Sequence, residues 1–486
     1  METRPYDLLV IGGGINGAGI ARDAAGRGLS VMLVERDDLG AATSSASSKL
    51  VHGGLRYLEH TEFRLVAEAL AEREIVLRIA GHLAWPLRFV MPHVPELRPR
   101  WMIRIGLFLY DHLARRSLLP GSQPVRLDRP PYGAGLRREL KHGFVFSDCR
   151  VDDARLVVGN VSDAAARGAR VLVGVECVRA QRDQALWRAQ LSNGESVRAR
   201  AVVNAAGPWV KQVLNDKLGQ TTRDAVRLVK GSHIVLPRLY EGEHAFILQN
   251  DDRRVVFMIP YEERFTLVGT TDVDYDGDPA APAASEAEVE YLCRAAGRYL
   301  ARPPRPAEVV WCYAGVRPLY DDGSQDPSAI TRDYTLRVDD VEGAAPVLSV
   351  FGGKITTYRK LAEHALEKLA PYFPGMRPAW TARAPLPGSD FSDREAAKAQ
   401  FFKRYPQLPP PLLQAVFRRH GILAHEVLGD GRLGEDYGAN LSERELRYLM
   451  ECEWAQSAAA VLWRRTKCGL HMTEAQRDRV AQVVGR

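Results

Sequence analysis

The sequence predicts an α/β protein that carries an inserted antiparallel β-sheet and ends in a helical domain. Strand-like apolar runs alternate with helical patterns from residue 6 to about 210, which is typical of a parallel sheet with crossover helices. Short β-rich runs dominate from 211 to 347, and helix signals follow one another after 385. The 486 residues leave room for roughly three domains of about 150 residues each.

The first predicted strand, over 6–10, runs directly into a glycine-rich turn with the pattern GxGxxG. Gly12 allows the tight turn, Gly14 lets the backbone approach a pyrophosphate, and Gly17 permits close packing of helix on strand. The helix that follows turns its free N–H groups towards the phosphates. Glu35 ends the next predicted strand, where a carboxylate can hydrogen-bond a ribose hydroxyl. A lone glycine pattern would be an ordinary turn, but these elements together predict a Rossmann-like dinucleotide-binding domain.

Two later segments favour FAD over NAD, because they look like the same domain returning after an insertion. The segment 199–210 is a strand that ends in small residues, among them Gly207. The segment 348–369 is a strand, a turn at Gly352 and Gly353, and a helix whose N-terminus suits an anionic cofactor. A plain strand–turn–helix corner is the alternative for this second segment. No residue suggests a covalent link, so we expect non-covalent FAD.

The loop after Glu35 is dense in hydroxyl and small side chains and has two interpretations. It is either a flexible polar loop or a segment that wraps the flavin, which needs close approach without bulky side chains. In the second interpretation the contacts come from Ser44, Ser48 and the backbone of His52, Gly53 and Gly54.

The domain prediction follows from these elements. We expect a Rossmann-like FAD-binding domain over 1–210 and 348–384, with part of 50–150 serving the substrate side. A β-rich domain covers 211–347, with one helix predicted from the capping box at Ser285 and Glu288. The Pro- and Gly-rich segment 374–390 predicts a linker into a helical domain over 385–486. Helix starts are expected there at three residues: Ser392, Ser442 and Thr473.

Composition limits the functional classes. Hydrophobic residues make up 46% and charged residues 26%, as in an ordinary soluble globular protein. A net charge of +6 allows a phosphate substrate, a nucleic acid or an anionic lipid surface without choosing among them. The six cysteines form no CxxC pair, so no metal site is predicted. The N-terminus has no signal-peptide pattern and no run of 18 apolar residues occurs, so a cytoplasmic protein with at most peripheral membrane contact is expected.

Motifs along nearly the whole chain resemble those of one flavoprotein family. They are IGGGINGAGIARDAAGRG, SSKLVHGGLRYLE, RIGLFLYDHLARR, VNAAGPW, VKGSHIV, GTTDVDY, AGVRPL, TRDYTL, FGGKITTYR and VLWRRTKCGL. In this order they resemble the aerobic, FAD-dependent glycerol-3-phosphate dehydrogenases of the D-amino-acid-oxidase-like superfamily. The resemblance implies hydride transfer from C2 of sn-glycerol 3-phosphate to the flavin, giving dihydroxyacetone phosphate, with electrons passed to a membrane quinone. It also implies that the β-rich domain over 211–347 is a substrate domain that lies over the flavin.

The resemblance, together with residue chemistry, selects candidate substrate ligands. Guanidinium groups bind phosphate bidentately, and Arg56, Arg317 and Arg332 lie in short apolar or glycine-rich contexts. A solvated surface charge is the alternative for each arginine. Thr270 is a candidate hydrogen-bonding partner of the substrate, or simply a turn residue.

Two further residues are candidates for the chemistry itself. Alcohol oxidation requires a base, and His233 at the start of a predicted strand has a side chain suited to that task. A core or surface histidine is the alternative. Lys354 follows the glycine pair at a predicted helix start, where a cation would stabilise the reduced flavin or a substrate oxygen, unless it is merely solvated.

The partner predictions centre on the segment 98–116, which mixes aromatic and aliphatic residues with flanking arginines. Such a helix can lie in a bilayer interface, and the alternative is a core helix with charged ends. Quinone use favours peripheral association with the cytoplasmic face of the inner membrane. An oxidase that uses oxygen would share every motif, and a homodimer is compatible with the sequence. Dispersed basic residues argue against nucleic acid, and a non-catalytic FAD-containing binding protein would leave the Arg and His residues unexplained.

Overall fold

A computed structural model describes residues 4–183, 185–222, 224–252, 254–321, 333–340 and 343–485. These residues form two large β-sheets and a helical C-terminal region that contains a small two-stranded sheet. The strands are β1 (Tyr6–Ile11), β2 (Val31–Glu35), β3 (Leu50–Val51), β4 (Ala84–Pro92), β5 (Gln123–Arg126), β6 (His142–Val151), β7 (Arg170–Val173), β8 (Cys177–Asp183), β9 (Leu186–Leu191), β10 (Ser196–Asn204), β11 (Val226–Pro237), β12 (Ala245–Gln249), β13 (Val255–Tyr261), β14 (Phe265–Gly269), β15 (Val273–Asp274), β16 (Trp311–Tyr320), β17 (Thr335–Asp339), β18 (Val347–Phe351), β19 (Asp436–Gly438) and β20 (Leu441–Ser442). The α-helices are α1 (Ile15–Gly26), α2 (Phe63–Ile79), α3 (Arg100–His112), α4 (Asp153–Ala166), α5 (Val210–Gln212), α6 (Glu286–Gly297), α7 (Tyr358–Leu369), α8 (Arg394–Arg404), α9 (Pro410–His420), α10 (Ala424–Leu428), α11 (Glu443–Cys452) and α12 (Glu474–Val484).

The first sheet has the order β17-β18-β10-β1-β2-β7. Neighbouring strands from β18 to β7 are parallel, while β17 is antiparallel to β18 and the β8–β9 hairpin extends β10. Helices α1, α4 and α7 pack against one another beside this sheet, around buried residues such as Ala18, Val157 and Leu366. The small side chains of α1 let these helices approach closely, which confirms the predicted α/β architecture.

The second sheet has the order β15-β11-β14-β13-β12-β4-β6-β3, with β16 also paired to β11 and β5 to β6. Its pairings are antiparallel except for the parallel pair β4–β12. Four of its strands come from residues 50–151, so the chain enters this sheet before the predicted β-rich zone begins. The predicted domain boundaries themselves stay a prediction.

Helix α6 packs on the second sheet and begins as expected. The Ser285 hydroxyl accepts from the Glu288 N–H while the Glu288 carboxylate accepts from the Ser285 N–H, which is a complete capping box. Leu292 and Ala296 of α6 share one core with Ile234 and other sheet residues.

The C-terminal region is helical apart from the short β19–β20 pair. Ser442 and Thr473 cap α11 and α12 as predicted, but the cap of α8 is Asp393 rather than Ser392. Asp393 is the N-cap because its carboxylate accepts hydrogen bonds from two backbone N–H groups, at 2.9 and 3.1 Å.

The Pro- and Gly-rich segment 374–390 is packed rather than free. Trp380 Nε1 donates to the Asp23 carbonyl at 3.1 Å, Arg22 donates to the Ala384 carbonyl at 3.0 Å, and Leu386 is buried. The connection to the C-terminal region therefore runs along α1.

Candidate active site

The two sheets meet at a cleft of about 440 Å³, within the roughly 300–1000 Å³ range of ligand sites. Its walls come from both sheets and from the long loop between β2 and α2. Predicted site residues that line it are Gly12, Gly14, Glu35, Ser44, Ser48, His52, Arg56, Gly207, His233, Thr270, Arg317, Gly352, Gly353 and Lys354. Gly17 and Gly53 lie behind the wall, and Arg332 lies outside the described residues.

The glycine turn between β1 and α1 requires its glycines for close approach. Gly12 has φ of +109°, and a Cβ there would lie 2.6 Å from the Ala205 carbonyl oxygen. A Cβ on Gly17 would lie 1.9 Å from the Gly12 carbonyl oxygen. The turn therefore exposes bare backbone at the start of α1, which is the cradle that a pyrophosphate group fits.

Glu35 braces this turn as well as lining the cleft. Its carboxylate accepts from the Gly13 N–H at 2.6 Å and from the Asp37 N–H at 2.9 Å. Burial raises the pKa of Glu35 despite these two hydrogen bonds. The sequence pattern assigned this carboxylate to a ribose hydroxyl and gave no sign of the contact to Gly13.

The loop after Glu35 is held by its hydroxyl groups, which contradicts the flexible-loop interpretation. Ser44 Oγ accepts from the Ile15 N–H at 3.0 Å, at the first turn of α1. Ser48 Oγ lies 2.8 Å from His233 Nε2. Further along, the Gly53 N–H donates to the Tyr110 hydroxyl at 2.8 Å.

The second glycine pair closes the cleft from the side of β18. Asn16 of α1 donates from Nδ2 to the Gly352 carbonyl at 3.1 Å, which ties this turn to the first one. Lys354 Nζ lies 4.0 Å from the centroid of the Tyr57 ring. The prediction that Lys354 starts a helix is wrong, because α7 begins only at Tyr358.

Arg317 and Thr270 form one polar group on the side of the second sheet. Arg317 Nη2 donates to Thr270 Oγ1 at 3.0 Å, and Nη1 pairs with Asp272. Behind them, Glu288 accepts from Thr271 Oγ1 at 2.8 Å. Burial opposes ionisation of Glu288, but Lys230 and the surrounding hydrogen bonds outweigh it and lower its pKa to about 2. This carboxylate therefore stays charged and fixes the turn that carries Thr270.

His233 is buried on β11, opposite Tyr313 of β16. Its ring stacks on the Tyr313 ring with centroids 4.8 Å apart and 12° between the planes. Nδ1 has no hydrogen-bond partner within the described part of the chain. Burial first, then the positive charges of Arg317 and Lys49, hold the pKa of His233 well below its ordinary value. The imidazole is thus neutral at neutral pH and able to accept a proton.

Sequence reasoning missed three residues around this histidine: Lys49, Asp272 and Tyr313. Lys49 belongs to the family motif SSKLV and Asp272 to the family motif GTTDVDY. Their partners are distant in sequence, so the motifs gave no sign of these contacts. Asp272 pairs with Arg317 and Lys49 pairs with Asp153. Among the residues that the structure describes, no group of acidic, His and Cys side chains could hold a metal ion.

Comparison with known proteins places the chain in a family. A family model described as "FAD dependent oxidoreductase" (DAO) matches residues 7–359. The chain is 52% identical to the aerobic glycerol-3-phosphate dehydrogenase of Escherichia coli, covering 99% of this chain and 97% of the relative. It is 48% identical to the D-erythritol 1-phosphate dehydrogenase of Brucella abortus, covering 98% and 97%.

A solved structure agrees with these relatives. The glycerol-3-phosphate dehydrogenase of Bacillus halodurans, crystallised with FAD, superposes with a TM-score of 0.73 at 26% identity, covering all of this chain and 94% of the other. The chain belongs to the DAO family of FAD-dependent oxidoreductases.

Proposed function

We propose that the protein oxidises sn-glycerol 3-phosphate to dihydroxyacetone phosphate and passes the electrons to a membrane quinone. One observation carries the proposal: the cleft beside the glycine turn holds a buried, neutral His233 together with the guanidinium groups of Arg56 and Arg317. Oxidation of a phosphorylated alcohol requires a base that accepts the hydroxyl proton and cationic groups that bind the phosphate. The name of the Escherichia coli relative supports glycerol 3-phosphate as the substrate. The name of the Brucella abortus relative makes D-erythritol 1-phosphate the competing candidate.

The described residues fit FAD, which supplies the hydride acceptor when it is bound. The glycine turn and the start of α1 would hold the pyrophosphate, and Glu35 would hold the ribose. Ser44 and His52 of the long loop, with Gly207 and the Gly352–Gly353 turn, would surround the rest of the cofactor. None of these side chains provides a reason for covalent attachment.

Arg317 and Arg56 are the proposed phosphate ligands, with Arg332 as a predicted third. Arg317 already uses one guanidinium nitrogen on Thr270 and another on Asp272. These contacts hold the guanidinium group in place, with 24% of the side chain exposed. A fixed guanidinium group loses little freedom on binding phosphate.

His233 is the proposed proton acceptor for the substrate hydroxyl. If Nε2 donates its hydrogen to Ser48 Oγ, the lone pair lies on Nδ1, the ring nitrogen without a partner among the described residues. A substrate hydroxyl that donates to Nδ1 would satisfy this buried atom and be set up to lose its proton. Thr270 would hydrogen-bond the substrate, and Lys354 would stabilise negative charge as it develops.

The first test is to add glycerol 3-phosphate to the purified yellow protein without oxygen. We expect the flavin colour to bleach rapidly, and acid precipitation to release the chromophore into the supernatant. D-erythritol 1-phosphate and unphosphorylated glycerol are the matched comparisons, and either one bleaching faster would contradict the substrate assignment. Reoxidation by a quinone, faster than by oxygen, distinguishes a dehydrogenase from an oxidase.

The phosphate assignment predicts the effect of Arg317→Ala. Hydrogen bonds to charged groups contribute about 1.5–3 kcal/mol, so apparent affinity for glycerol 3-phosphate should fall roughly 10- to 150-fold. Activity on unphosphorylated glycerol should barely change. Arg337→Ala is the control, since this exposed arginine pairs with Asp224 and does not line the cleft. Equal losses on both substrates would show that Arg317 supports the fold instead.

The base assignment predicts that His233→Ala keeps its flavin but reduces it about 10²–10⁴-fold more slowly. In the unmodified enzyme the limiting rate should hold as pH falls past about 6.5, the ordinary histidine pKa, and decline only at lower pH. The reason is that burial lowers the pKa of His233, so protonation requires more acid. His142→Ala, outside the cleft, should behave as unmodified enzyme. A wild-type rate in His233→Ala would place the base elsewhere.

Membrane contact is proposed for α3, which has two apolar faces. Ile103, Leu107 and Tyr110 are buried against the protein, as the core-helix interpretation expects. Trp101 and Phe108 on the opposite face are 64% and 54% exposed, which a core helix would not show. Among the described helices, none combines the length and the apolar character needed to cross a bilayer. These features support peripheral binding to an anionic membrane, with the flanking arginines at the lipid headgroups.

The membrane proposal predicts that changing Trp101, Ile105 and Phe108 together to Ser weakens binding to anionic vesicles by about 100- to 1000-fold. Changing Arg100, Arg104, Arg115 and Arg116 together to Gln should weaken it too, mainly at low salt. Both variants should bleach with substrate and use a soluble dye normally. Val178→Ser with Val310→Ser, two exposed apolar residues elsewhere, is the control. Unchanged vesicle binding would move the membrane contact to another surface.

A further inference from the structure

Three aromatic rings connect the histidine of the cleft to the C-terminal domain. His233 stacks on Tyr313 at 4.8 Å, Tyr313 lies 4.9 Å from Trp311, and Trp311 stacks on Trp463 at 4.8 Å, all measured between ring centroids. Tyr313 and Trp311 pack on the core of the second sheet, whereas Trp463 packs on the core of the C-terminal helices. The Trp311–Trp463 pair is therefore one of the contacts between the two cores, and the Phe265–His471 ring pair also joins the second sheet to the C-terminal helices.

Trp463 is held in place by its neighbours in the chain. Arg465, fully buried, forms a bidentate ion pair with Asp38 at 2.7 and 2.8 Å and donates to the Glu453 carbonyl at 2.7 Å. Arg464 also pairs with Asp38. Asp38 belongs to the loop between Glu35 and the cleft serines, so the turn that carries Trp463 is anchored to the cofactor side of the cleft.

A second set of contacts fixes the other end of the stack. Lys467 pairs with Asp152 at the start of α4, and the next residue, Asp153, binds Lys49 Nζ and Ser47 Oγ at 2.7 Å each. The Tyr313 hydroxyl donates to the Ser47 carbonyl at 2.8 Å. The same loop thus receives contacts from the C-terminal domain through α4 and from the ring stack.

We propose that Trp463 is a positioning residue for His233, acting through the rings of Trp311 and Tyr313. This inference rests on the proposed function, because it concerns the histidine to which that proposal gives the proton. Among the described residues the imidazole of His233 has one hydrogen bond, to Ser48, and it lies between Tyr313 on β16 and Gly269 on β14. Gly269 has no side chain, so Tyr313 is the side chain that supports the ring across the sheet. The Tyr313 ring in turn contacts the Trp311 ring, and the Trp463 ring stacks on Trp311. The C-terminal domain would thereby help to set the geometry of the reaction.

Loss of the Trp463 ring should loosen the stack and admit water to His233. A catalytic group displaced by about 1 Å can cost roughly 100-fold in rate, so a partly supported histidine should lose about tenfold. Among the described residues, the charged or titratable groups near His233 are Arg317 and Tyr313 on β16, Asp272 after β14 and Lys49 of the loop, and none of them changes in the variant. Better hydration would therefore raise the pKa of His233 towards its ordinary value.

The experiment compares Trp463→Ala, Trp463→Phe and unmodified holoenzyme. For Trp463→Ala we expect full FAD content, an apparent affinity for glycerol 3-phosphate within about twofold, and a limiting rate of flavin reduction about tenfold lower. The acid limb of its pH profile should move up by about one unit. Histidine NMR of the substrate-free holoenzyme, with His233 assigned by its loss in His233→Ala, should show the same rise. Trp463→Phe should restore most of the rate, since a phenyl ring can still stack on Trp311.

The control is Trp454→Ala, a tryptophan of the same domain that packs on the core of the first sheet but does not join the stack. An unchanged rate and pH profile in Trp463→Ala would overturn the proposal. So would equal effects of Trp454→Ala, or a Phe variant no better than the Ala variant. If Trp463→Ala does not fold, Trp463→Leu takes its place with the same expectations. Failure of the unmodified protein to bleach with glycerol 3-phosphate would instead reject the proposed function, and the NMR comparison would still test the positioning of His233.

Discussion

The loop between β2 and α2 depends on partners outside itself, and the cleft depends on this loop. Its stretch 40–48 consists only of Gly, Ala, Thr and Ser and has little apolar surface to bury, so its backbone and hydroxyl groups must be satisfied by neighbouring elements. The partners come from every part of the molecule: α1 through Ser44, β11 through Ser48, α4 through Ser47, and the C-terminal domain through Asp38. The cleft takes its shape only when all of these elements are in place.

Much of this dependence is carried by buried ion pairs. Arg465 with Asp38 and Arg155 with Glu453 both join the C-terminal domain to the rest of the chain. Removing one partner of such a pair leaves an uncompensated buried charge, which costs about 3–5 kcal/mol. Pairs of this kind add little net stability relative to apolar packing, but they strongly penalise any other arrangement of the domains. They therefore specify geometry more than they add stability.

Local patterns were enough to predict the cofactor side of the cleft. Gly12 and Glu35 belong to one short β–α–β segment, so their spacing contains most of the information about their positions. Contacts between distant segments could not be predicted in this way: the pairing of Asp38 with Arg465 joins residues that no local pattern connects. The start of α7 after Lys354 was misplaced, because a glycine pair marks the turn but not the number of residues before the first helical one. The assigned roles of the site residues remain predictions that the variants above test.

The ion pair between Asp38 and Arg465 can form only late in the synthesis of the chain. Asp38 and Arg465 are 427 residues apart in the chain. At a synthesis rate of about 5–20 residues per second, roughly 20–85 s pass between the appearance of the aspartate and that of its partner. During that interval the glycine turn and then the remaining strands of the first sheet are synthesised. The loop that follows Glu35 still lacks its ion pair with Arg465. The pocket for the cofactor is therefore completed only after Arg465 has been synthesised and its helix folds against the rest of the chain.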